Sequence, residues 1–213
     1  MKIEALGHSC FLMTTKQGTR IVTDPFDGGI GYDEPAVETD IVTMSHGHYD
    51  HHKEDAPKNA KLSLDTVTEA EYADVKICGV ATFHDEKGGA LRGANIVYVY
   101  EADGLRIAHL GDLGHLPTKD RIEKIGKLDV LMIPVGGIFT LDAKAAEETV
   151  RLLAPRIVIP MHYQTKRLTL GKKIGKLEAF TKRFSNVTYA EEKQIQILPD
   201  DGQQGVIVPV LPQ

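Results

Sequence analysis

The sequence predicts a mixed α/β fold (α/β or α+β) formed by one domain that spans residues 1–213. Short β-rich runs separated by turns fill the first half of the chain, which is typical of a sheet that begins with a meander. In the second half, apolar strand-like runs alternate with helical stretches, which favours helices packed against the outside of a sheet. The 42% hydrophobic and 26% charged residues are ordinary for a globular protein with one core.

The first half contains predicted strands that share a high content of Val, Ile, Leu and aromatic residues. They lie at residues 3–6, 10–14, 20–23, 40–44, 61–64, 75–83, 94–100 and 105–110. Asp103-Gly104 is a hairpin signal between the last two. Glycine-rich stretches at 27–31 and 87–93 predict irregular connectors, which act either as lids over a site or as turns. A brief helix is predicted at 66–73.

The second half is predicted to alternate between helices and strands. Helical patterns cover residues 117–125, 142–153 and 168–184. Asp142 is placed to cap the second helix, because its side-chain oxygen can accept a hydrogen bond from the first turn. Predicted strands lie at 130–134, 156–160, 194–198 and 206–210.

Four of the predicted strands end within two residues of a side chain that can bind a metal ion. These side chains are His46, His84, Asp112 and His162. If the four strand ends share one edge of the fold, ligands that are far apart in sequence meet in space. A rigid sheet edge would hold them in a fixed arrangement.

Residues 45–52 read Ser-His-Gly-His-Tyr-Asp-His-His and follow the apolar run 41–44. Four imidazoles and a carboxylate in so short a loop indicate a metal site, because this spacing lets neighbouring rings converge on one point. The alternative is a solvated polar loop, which the rarity of histidine disfavours. The pattern H-x-H-x-D-H comprises His46, His48, Asp50 and His51.

This pattern resembles the signature of the metallo-β-lactamase fold superfamily, and the later strand-end residues resemble that family's remaining ligands. The match extends to Gly7-His8-Ser9 and Thr23-Asp24-Pro25 and so covers nearly the whole chain. The resemblance implies a four-layer αββα sandwich with a binuclear metal site on one edge of the paired sheets. Shorter motifs, among them Pro160-Met161-His162-Tyr163, are similar to the branch that includes the ascorbate-6-phosphate lactonases.

The resemblance also implies a ligand set. His46, His48 and His84 would hold one metal ion, Asp50, His51 and His162 would hold a second, and Asp112 would bridge the two. Asp50 is the catalytic candidate, because besides ligating it could orient the attacking hydroxide and accept its proton. His48 stands where the similar flavodiiron oxidoreductases have Glu, which favours hydrolysis over redox chemistry.

The types of donor predict the metal and its chemistry. Imidazoles and carboxylates without thiolates suit zinc, with manganese or iron as substitutes. Two bridged cations would lower the pKa of a shared water from about 15.7 toward about 7 and would polarise a carbonyl or phosphoryl oxygen. The leading hypothesis is a hydrolase in which metal-bound hydroxide attacks an ester-like, lactone or phosphodiester bond of a small molecule.

The sequence offers two alternatives to this hypothesis. A nuclease or phosphodiesterase acting on RNA or DNA is disfavoured by the net charge of -5 and by the lack of a long basic run. A non-enzymatic metal-binding or ligand-sensing protein is disfavoured because the sequence retains all seven expected ligands. A small-molecule substrate fits the charge best.

Several further residues are candidates for orienting a ligand or contacting substrate. They are His8, Asp24, Asp85, His115 and Tyr163. For His8 and His115 a purely structural role has equal weight, and Tyr163 is equally well explained as part of a solvated loop. Asp24 and Asp85 are candidates to accept the distal N–H of a ligating histidine. His52 is predicted to be a solvated neighbour of the motif, and His109 a core histidine.

Composition also suggests the compartment. Two cysteines, Cys10 and Cys78, are too few for a disulfide framework. The N-terminal residues have a strand-like sequence and lack the apolar core of a signal peptide. No stretch is apolar and long enough to span a membrane. We therefore expect a cytoplasmic protein.

Overall fold

The computed structural model describes residues 1–212 and contains two β-sheets that pack face to face. The six-stranded sheet has the order β13-β1-β2-β3-β4-β5. Its strands are β1 (Lys2–Gly7), β2 (Cys10–Thr14), β3 (Arg20–Thr23), β4 (Ile41–Thr43), β5 (Leu62–Leu64) and β13 (Gln194–Gln196).

The eight-stranded sheet has the order β12-β14-β11-β10-β9-β8-β7-β6. Its strands are β6 (Glu69–Tyr72), β7 (Val75–Phe83), β8 (Ala94–Ala102), β9 (Leu105–His109), β10 (Val130–Pro134), β11 (Ile157–Met161), β12 (Val187–Tyr189) and β14 (Gly205–Val208). β10 and β11 are buried at every residue, as expected for parallel strands that are covered on both faces.

Strand periodicity divides the apolar side chains between the inside and the outside of the sandwich. Met13 and Ile21 of one sheet share a core with Tyr98 and Met132 of the other. The opposite face of the eight-stranded sheet packs against α1 (Lys119–Ile125), α2 (Ala143–Leu153) and α3 (Glu178–Thr181). The predicted sandwich of paired sheets with outer helices is therefore confirmed for this side.

The outer face of the six-stranded sheet has a different covering. A separate apolar cluster lies there, formed by Cys10, Val22, Phe26, Ile30, Tyr32, Leu168 and Ile174. In the described residues, loops and a short 3₁₀ turn supply this layer. The 3₁₀ turn, Gly28–Ile30, lies in the stretch that was predicted to be irregular, and the Asp27 carboxylate caps it by accepting a hydrogen bond from the Gly29 N–H at 2.8 Å.

The helix predicted at 66–73 is wrong. Residues Glu69–Tyr72 form the edge strand β6, which pairs antiparallel with β7 through registers such as Glu69 with Cys78. Glu and Ala are good helix formers, but intrinsic helix propensity is a weak determinant, and the β7 edge offers this segment backbone hydrogen-bond partners. The long-range pairing outweighs the local preference.

The helical pattern predicted at 168–184 is also mostly wrong, since only Glu178–Thr181 is α-helical. Before it, the Gly175 N–H donates to the Gly136 carbonyl at 2.6 Å. A Cβ at Gly175 would lie 2.8 Å from that oxygen, so the close approach requires glycine. The segment therefore crosses the loop after β10 as irregular chain, and Leu168 and Ile174 turn into the outer cluster.

The helix around residues 142–153 is confirmed as α2, and so is its cap. The Asp142 carboxylate accepts hydrogen bonds from the backbone N–H groups of Lys144 and Ala145 at 3.0 and 2.8 Å. Ala146, Thr149 and Leu153 form the buried stripe of this helix. Within residues 1–212, every helix is too short or too polar to cross a lipid bilayer.

Candidate metal centre

Six strands whose carboxyl ends point toward one edge of the sandwich are followed by polar side chains. β1 and β3 are each antiparallel to β2, and β3 is parallel to β4, so all three end on the same side. β7, β9 and β11 share one direction in the other sheet. The polar residues that follow these ends are His8, Asp24, His46, His84, Asp112 and His162.

A first group of imidazoles lies on one side of this edge. His46, His48 and His84 each offer a ring nitrogen, and the three atoms lie within 4.8 Å of one another. The Nε2 of His46 is 3.0 Å from the Nδ1 of His48. His46 and His84 are buried, whereas His48 is exposed at the mouth of the site.

A second group adjoins the first. It comprises His8, Asp50, His51 and His162, whose candidate ligand atoms again lie within 4.8 Å of one another. The Nε2 atom of His51 is 3.8 Å from the Oδ2 atom of Asp50. His8 thus lies beside Asp50, His51 and His162, the three residues that the resemblance implied for a second ion.

Asp112 lies between the two groups. Its Oδ2 is 3.1 Å from the Nε2 of His84 and 3.2 Å from the Nε2 of His162. Its Oδ1 is 3.2 Å from the Nε2 of His51. All seven residues that the sequence selected as ligands therefore meet at this edge, and one carboxylate contacts both groups.

Asp24 holds the loop that carries the motif. Its Oδ1 accepts the backbone N–H of Ser45 at 2.7 Å, and its Oδ2 accepts the Ser45 hydroxyl at 2.6 Å and the Nδ1–H of His51 at 2.8 Å. The Ser45 hydroxyl is also 2.9 Å from the Nδ1 of His46. This network fixes the orientation of two rings so that each presents Nε2 to the centre.

Asn95 holds the backbone of Asp112 in place through hydrogen bonds. Its Oδ1 accepts the backbone N–H of Asp112 at 2.9 Å, while its amide donates to the Leu110 carbonyl and the Thr82 hydroxyl at 2.9 and 2.7 Å. Sequence reasoning missed both Asn95 and Ser45. Ser45 adjoins the motif, but a polar residue inside the β8 strand carries no comparable signal.

Buried carboxylates and imidazole rings shift one another's pKa values at this site. Burial would raise the pKa of Asp112, but the rings of His162 and His51 hold that pKa well below its ordinary value. Burial and the neighbouring His51 lower the pKa of His46 to about 3. Burial opposes charge on His51 too, yet Asp112 and Asp50 raise its pKa to about 10.

Other sequence candidates take different places. The Asp85 carboxylate accepts four backbone N–H groups, those of Lys87, Gly89, Leu91 and Arg92, and so shapes the 87–93 connector. His115 lies outside the cluster, where its Nε2 accepts the Phe83 N–H at 3.2 Å. Tyr163 is buried and packs with the helices rather than facing the site.

His52 and His109 lie where the sequence suggested. The Nε2 of His52 lies 3.7 Å from the Asp65 carboxylate, and the ring is partly exposed. His109 is a buried histidine whose Nε2 donates to the Ser9 carbonyl at 2.8 Å and whose Nδ1 accepts the Gly111 N–H at 3.2 Å.

A cavity of about 370 Å³ opens onto the cluster. Its floor includes His48, Asp50, His84, Asp112 and His162, and its walls include Tyr49, Phe139 and Leu170. Arg92 is the one cationic side chain among the described residues that line it. This volume suits a small molecule.

Comparison with known proteins shows which family the chain is similar to. The family described as a β-lactamase superfamily domain matches residues 2–162. A UPF0173 protein of Pyrococcus furiosus is 31% identical over 190 residues, which covers 78% of this chain and 84% of the relative. A UPF0173 metal-dependent hydrolase of Thermoplasma acidophilum is 29% identical over 192 residues and covers the same shares.

Among solved structures, a protein from Thermotoga maritima is similar over its whole length. It is described as a proposed zinc-dependent hydrolase of the metallo-β-lactamase superfamily. It is 36% identical to this chain, the match covers 99% of both chains, and the TM-score is 0.80.

Replacing Asp24 with Asn tests whether this carboxylate holds the motif loop. The amide cannot accept from all three donors, and it leaves the His51 ring without its anionic partner. We expect Asp24→Asn to lower the free energy of unfolding in urea by about 3 kcal/mol. Asp27→Asn, the same change at an exposed cap, should alter it by about 0.5 kcal/mol or less. Equal stabilities for the two variants would contradict this role.

Proposed function

We propose that this chain, which belongs to the metallo-β-lactamase superfamily, is a hydrolase that binds two metal ions and acts on a small molecule. The observation that carries the proposal is the position of Asp112 between two groups of ring nitrogens and carboxylates. The first ion would take His46, His48 and His84, and the second would take Asp50, His51 and His162. Asp112 would bridge them.

The spacing of the donor atoms fits metal coordination. Bonds from zinc to nitrogen or oxygen are about 2.0–2.2 Å long, so two ligands of one ion lie roughly 3.0–3.4 Å apart at bond angles between about 90° and tetrahedral. Four separations fall in this range: 3.0 Å for His46–His48, 3.1 Å for His84–Asp112, and 3.2 Å for both His51–Asp112 and His162–Asp112.

Unsatisfied polar atoms support the same fit. Within residues 1–212, His51 Nε2 and Asp112 Oδ1 are buried and have no aligned hydrogen-bond partner. Leaving such groups unpaired in a protein interior costs free energy, whereas a cation at the centre would satisfy them together. The donor set without thiolate suits zinc, and manganese or iron are the alternatives.

The bound ions and Asp50 would have different roles in hydrolysis. When bound, the ions would supply an acidic water and polarise the scissile bond. Asp50 is only half-buried and lines the cavity, so its carboxylate can take a proton from the attacking water and return it to the leaving group. Burial opposes the charge on Asp50, but the adjacent His51 lowers its pKa, so the carboxylate is ionised at neutral pH and can orient the attacking water as a hydrogen-bond acceptor.

The cavity supports a small substrate with an ester, lactone or phosphodiester bond. Tyr49, Phe139 and Leu170 form apolar walls, and Arg92 lies at one side. The Nη2 of Arg92 donates to the Ile138 carbonyl at 2.9 Å, and its guanidinium lies 5.7 Å from the centre of the Phe139 ring. A cation held in this way can meet an anionic substituent of the substrate. A cytoplasmic location is part of the proposal and rests on the two free thiols of Cys10 and Cys78.

Metal content and the variant His48→Ala test the proposed hydrolase. We expect the purified protein to hold about two equivalents of zinc, manganese or iron and to hydrolyse a member of a panel of lactones, esters, thioesters and phosphodiesters. His48→Ala should lower kcat/KM at least about 100-fold because an ion loses a ligand. His52→Ala should leave it unchanged, since His52 faces Asp65.

Two results would refute the hydrolase. One is protein that holds none of the three metals after growth with each, with identical rates for wild type and His48→Ala. The other is metal-loaded protein that is inactive across the panel, which would favour a metal-binding or ligand-sensing protein. A salt-dependent gel shift with labelled RNA would instead direct attention to a nucleic-acid substrate.

Arg92→Ala tests the charge of the substrate. For substrates with a carboxylate or phosphate away from the scissile bond, we expect KM to rise about tenfold while kcat changes little, because a charge-assisted hydrogen bond is lost in both ground and transition state. Neutral analogues should be unaffected. Arg121→Ala is the matched control, since Arg121 stacks on Phe83 away from the cavity lining. An equal rise in KM for neutral and anionic substrates would contradict this assignment.

A further inference from the structure

His8 is a buried imidazole that neither the sequence motif nor the ligand set above uses. Only 5% of the residue is exposed. Within residues 1–212, neither its Nδ1 nor its Nε2 has a hydrogen-bond partner. A buried polar ring with both nitrogens unsatisfied is costly unless another group completes it.

The ring faces the second group of ligands. Its candidate ligand atom lies within 4.8 Å of those of Asp50, His51 and His162. The centre of the His8 ring is 4.2 Å from the centre of the His162 ring and 5.0 Å from that of His51. His8 thus occupies the same small volume as the residues proposed for the second ion.

The backbone of His8 has a conformation that is uncommon for histidine. Its φ is 52°, a left-handed conformation that is uncommon for residues other than glycine. The His8 carbonyl accepts the backbone N–H of His162 at 3.3 Å, which ties the turn after β1 to the end of β11. The two imidazoles are therefore positioned by one shared link between the sheets.

A simple hydrogen bond to Asp50 does not describe the contact. The Nε2 of His8 lies 3.4 Å from the Oδ2 of Asp50. A charge-assisted N–H to carboxylate bond is about 2.7–2.9 Å long. The longer separation lies within the roughly 3.0–3.4 Å that separates two ligands of one cation at bond angles between about 90° and tetrahedral.

We propose that His8 is a further ligand of the second metal ion, beside Asp50, His51, His162 and the shared Asp112. The inference rests on the proposed binuclear site. Five side-chain ligands leave one position open on a six-coordinate ion, a number that manganese(II) or iron(II) accepts more readily than zinc. The second ion would then be held mainly by the protein, and the first would be the more open to substrate.

Stepwise metal binding by His8→Asn tests this assignment. Asn tolerates the left-handed backbone better than Ala, so the variant keeps the turn, and a thermal melt of the metal-free protein verifies its fold. Metal-free wild type and variant are titrated with Zn²⁺ against a chromophoric chelator. We expect one of the two dissociation constants, that of the ion beside Asp50, His51 and His162, to rise about 10–100-fold in His8→Asn, and the other to equal that of wild type. His52→Asn, the same change outside the cluster, should match wild type at both steps.

The absorption spectrum of Co²⁺-loaded protein gives an independent reading. Loss of a ligand lowers the coordination number, so the band of the second Co²⁺ should become more intense in His8→Asn. Equal dissociation constants at both steps and identical spectra for wild type and His8→Asn would overturn His8 as a ligand while leaving the binuclear site in place. A wild type that binds a single ion would also overturn it, and a wild type that binds none would refute the proposed function itself.

Discussion

The buried carboxylate of Asp112 is the group on which the arrangement of the site depends. It is 2% exposed, and histidines from three separate parts of the chain approach it. His51 belongs to the loop after β4, His84 follows β7, and His162 follows β11, at distances of 3.2, 3.1 and 3.2 Å. A buried anion is costly unless positive charge compensates it. The rings that converge on Asp112, together with the cations we propose between them, compensate its negative charge.

The two-sheet sandwich explains why the rings can converge. Three strands of the six-stranded sheet and three of the eight-stranded sheet bring these polar residues to the same edge, and each strand end is fixed by backbone pairing to its neighbours. A further shell of hydrogen bonds then orients the side chains. Asp24 fixes the loop of the motif, and Asn95 fixes the backbone of Asp112. The chemistry sits on loops, but the loops are short and anchored at both ends.

The sequence was sufficient for most strands, but not for β6 or β12, and for the seven ligand candidates that meet at the centre. The apolar runs before His84 and His162 predict buried strands, and the polar residue that follows each run marks where the strand ends. Helix prediction failed at 66–73 and over most of 168–184. In both cases partners distant in sequence, the β7 edge and the Gly136 carbonyl, decide the conformation.

The roles of residues that adjoin or support the ligand candidates were harder to predict. Asp85 adjoins a ligand in sequence, yet its carboxylate turns away to accept four N–H groups of its own loop. Tyr163 adjoins His162 but packs among the helices. Asn95, which was missed, lies in a long strand and is identified only by its hydrogen bonds to other parts of the chain. Such roles depend on where neighbouring elements pass, and local sequence does not contain that information.

Anomalous X-ray diffraction from crystals loaded with zinc, recorded at the zinc edge, tests the central claim most directly. The account predicts two peaks roughly 3.5–4 Å apart, one bounded by His46, His48 and His84 and the other by Asp50, His51 and His162, with Asp112 between them. A single peak, or peaks that lie away from Asp112, would contradict it.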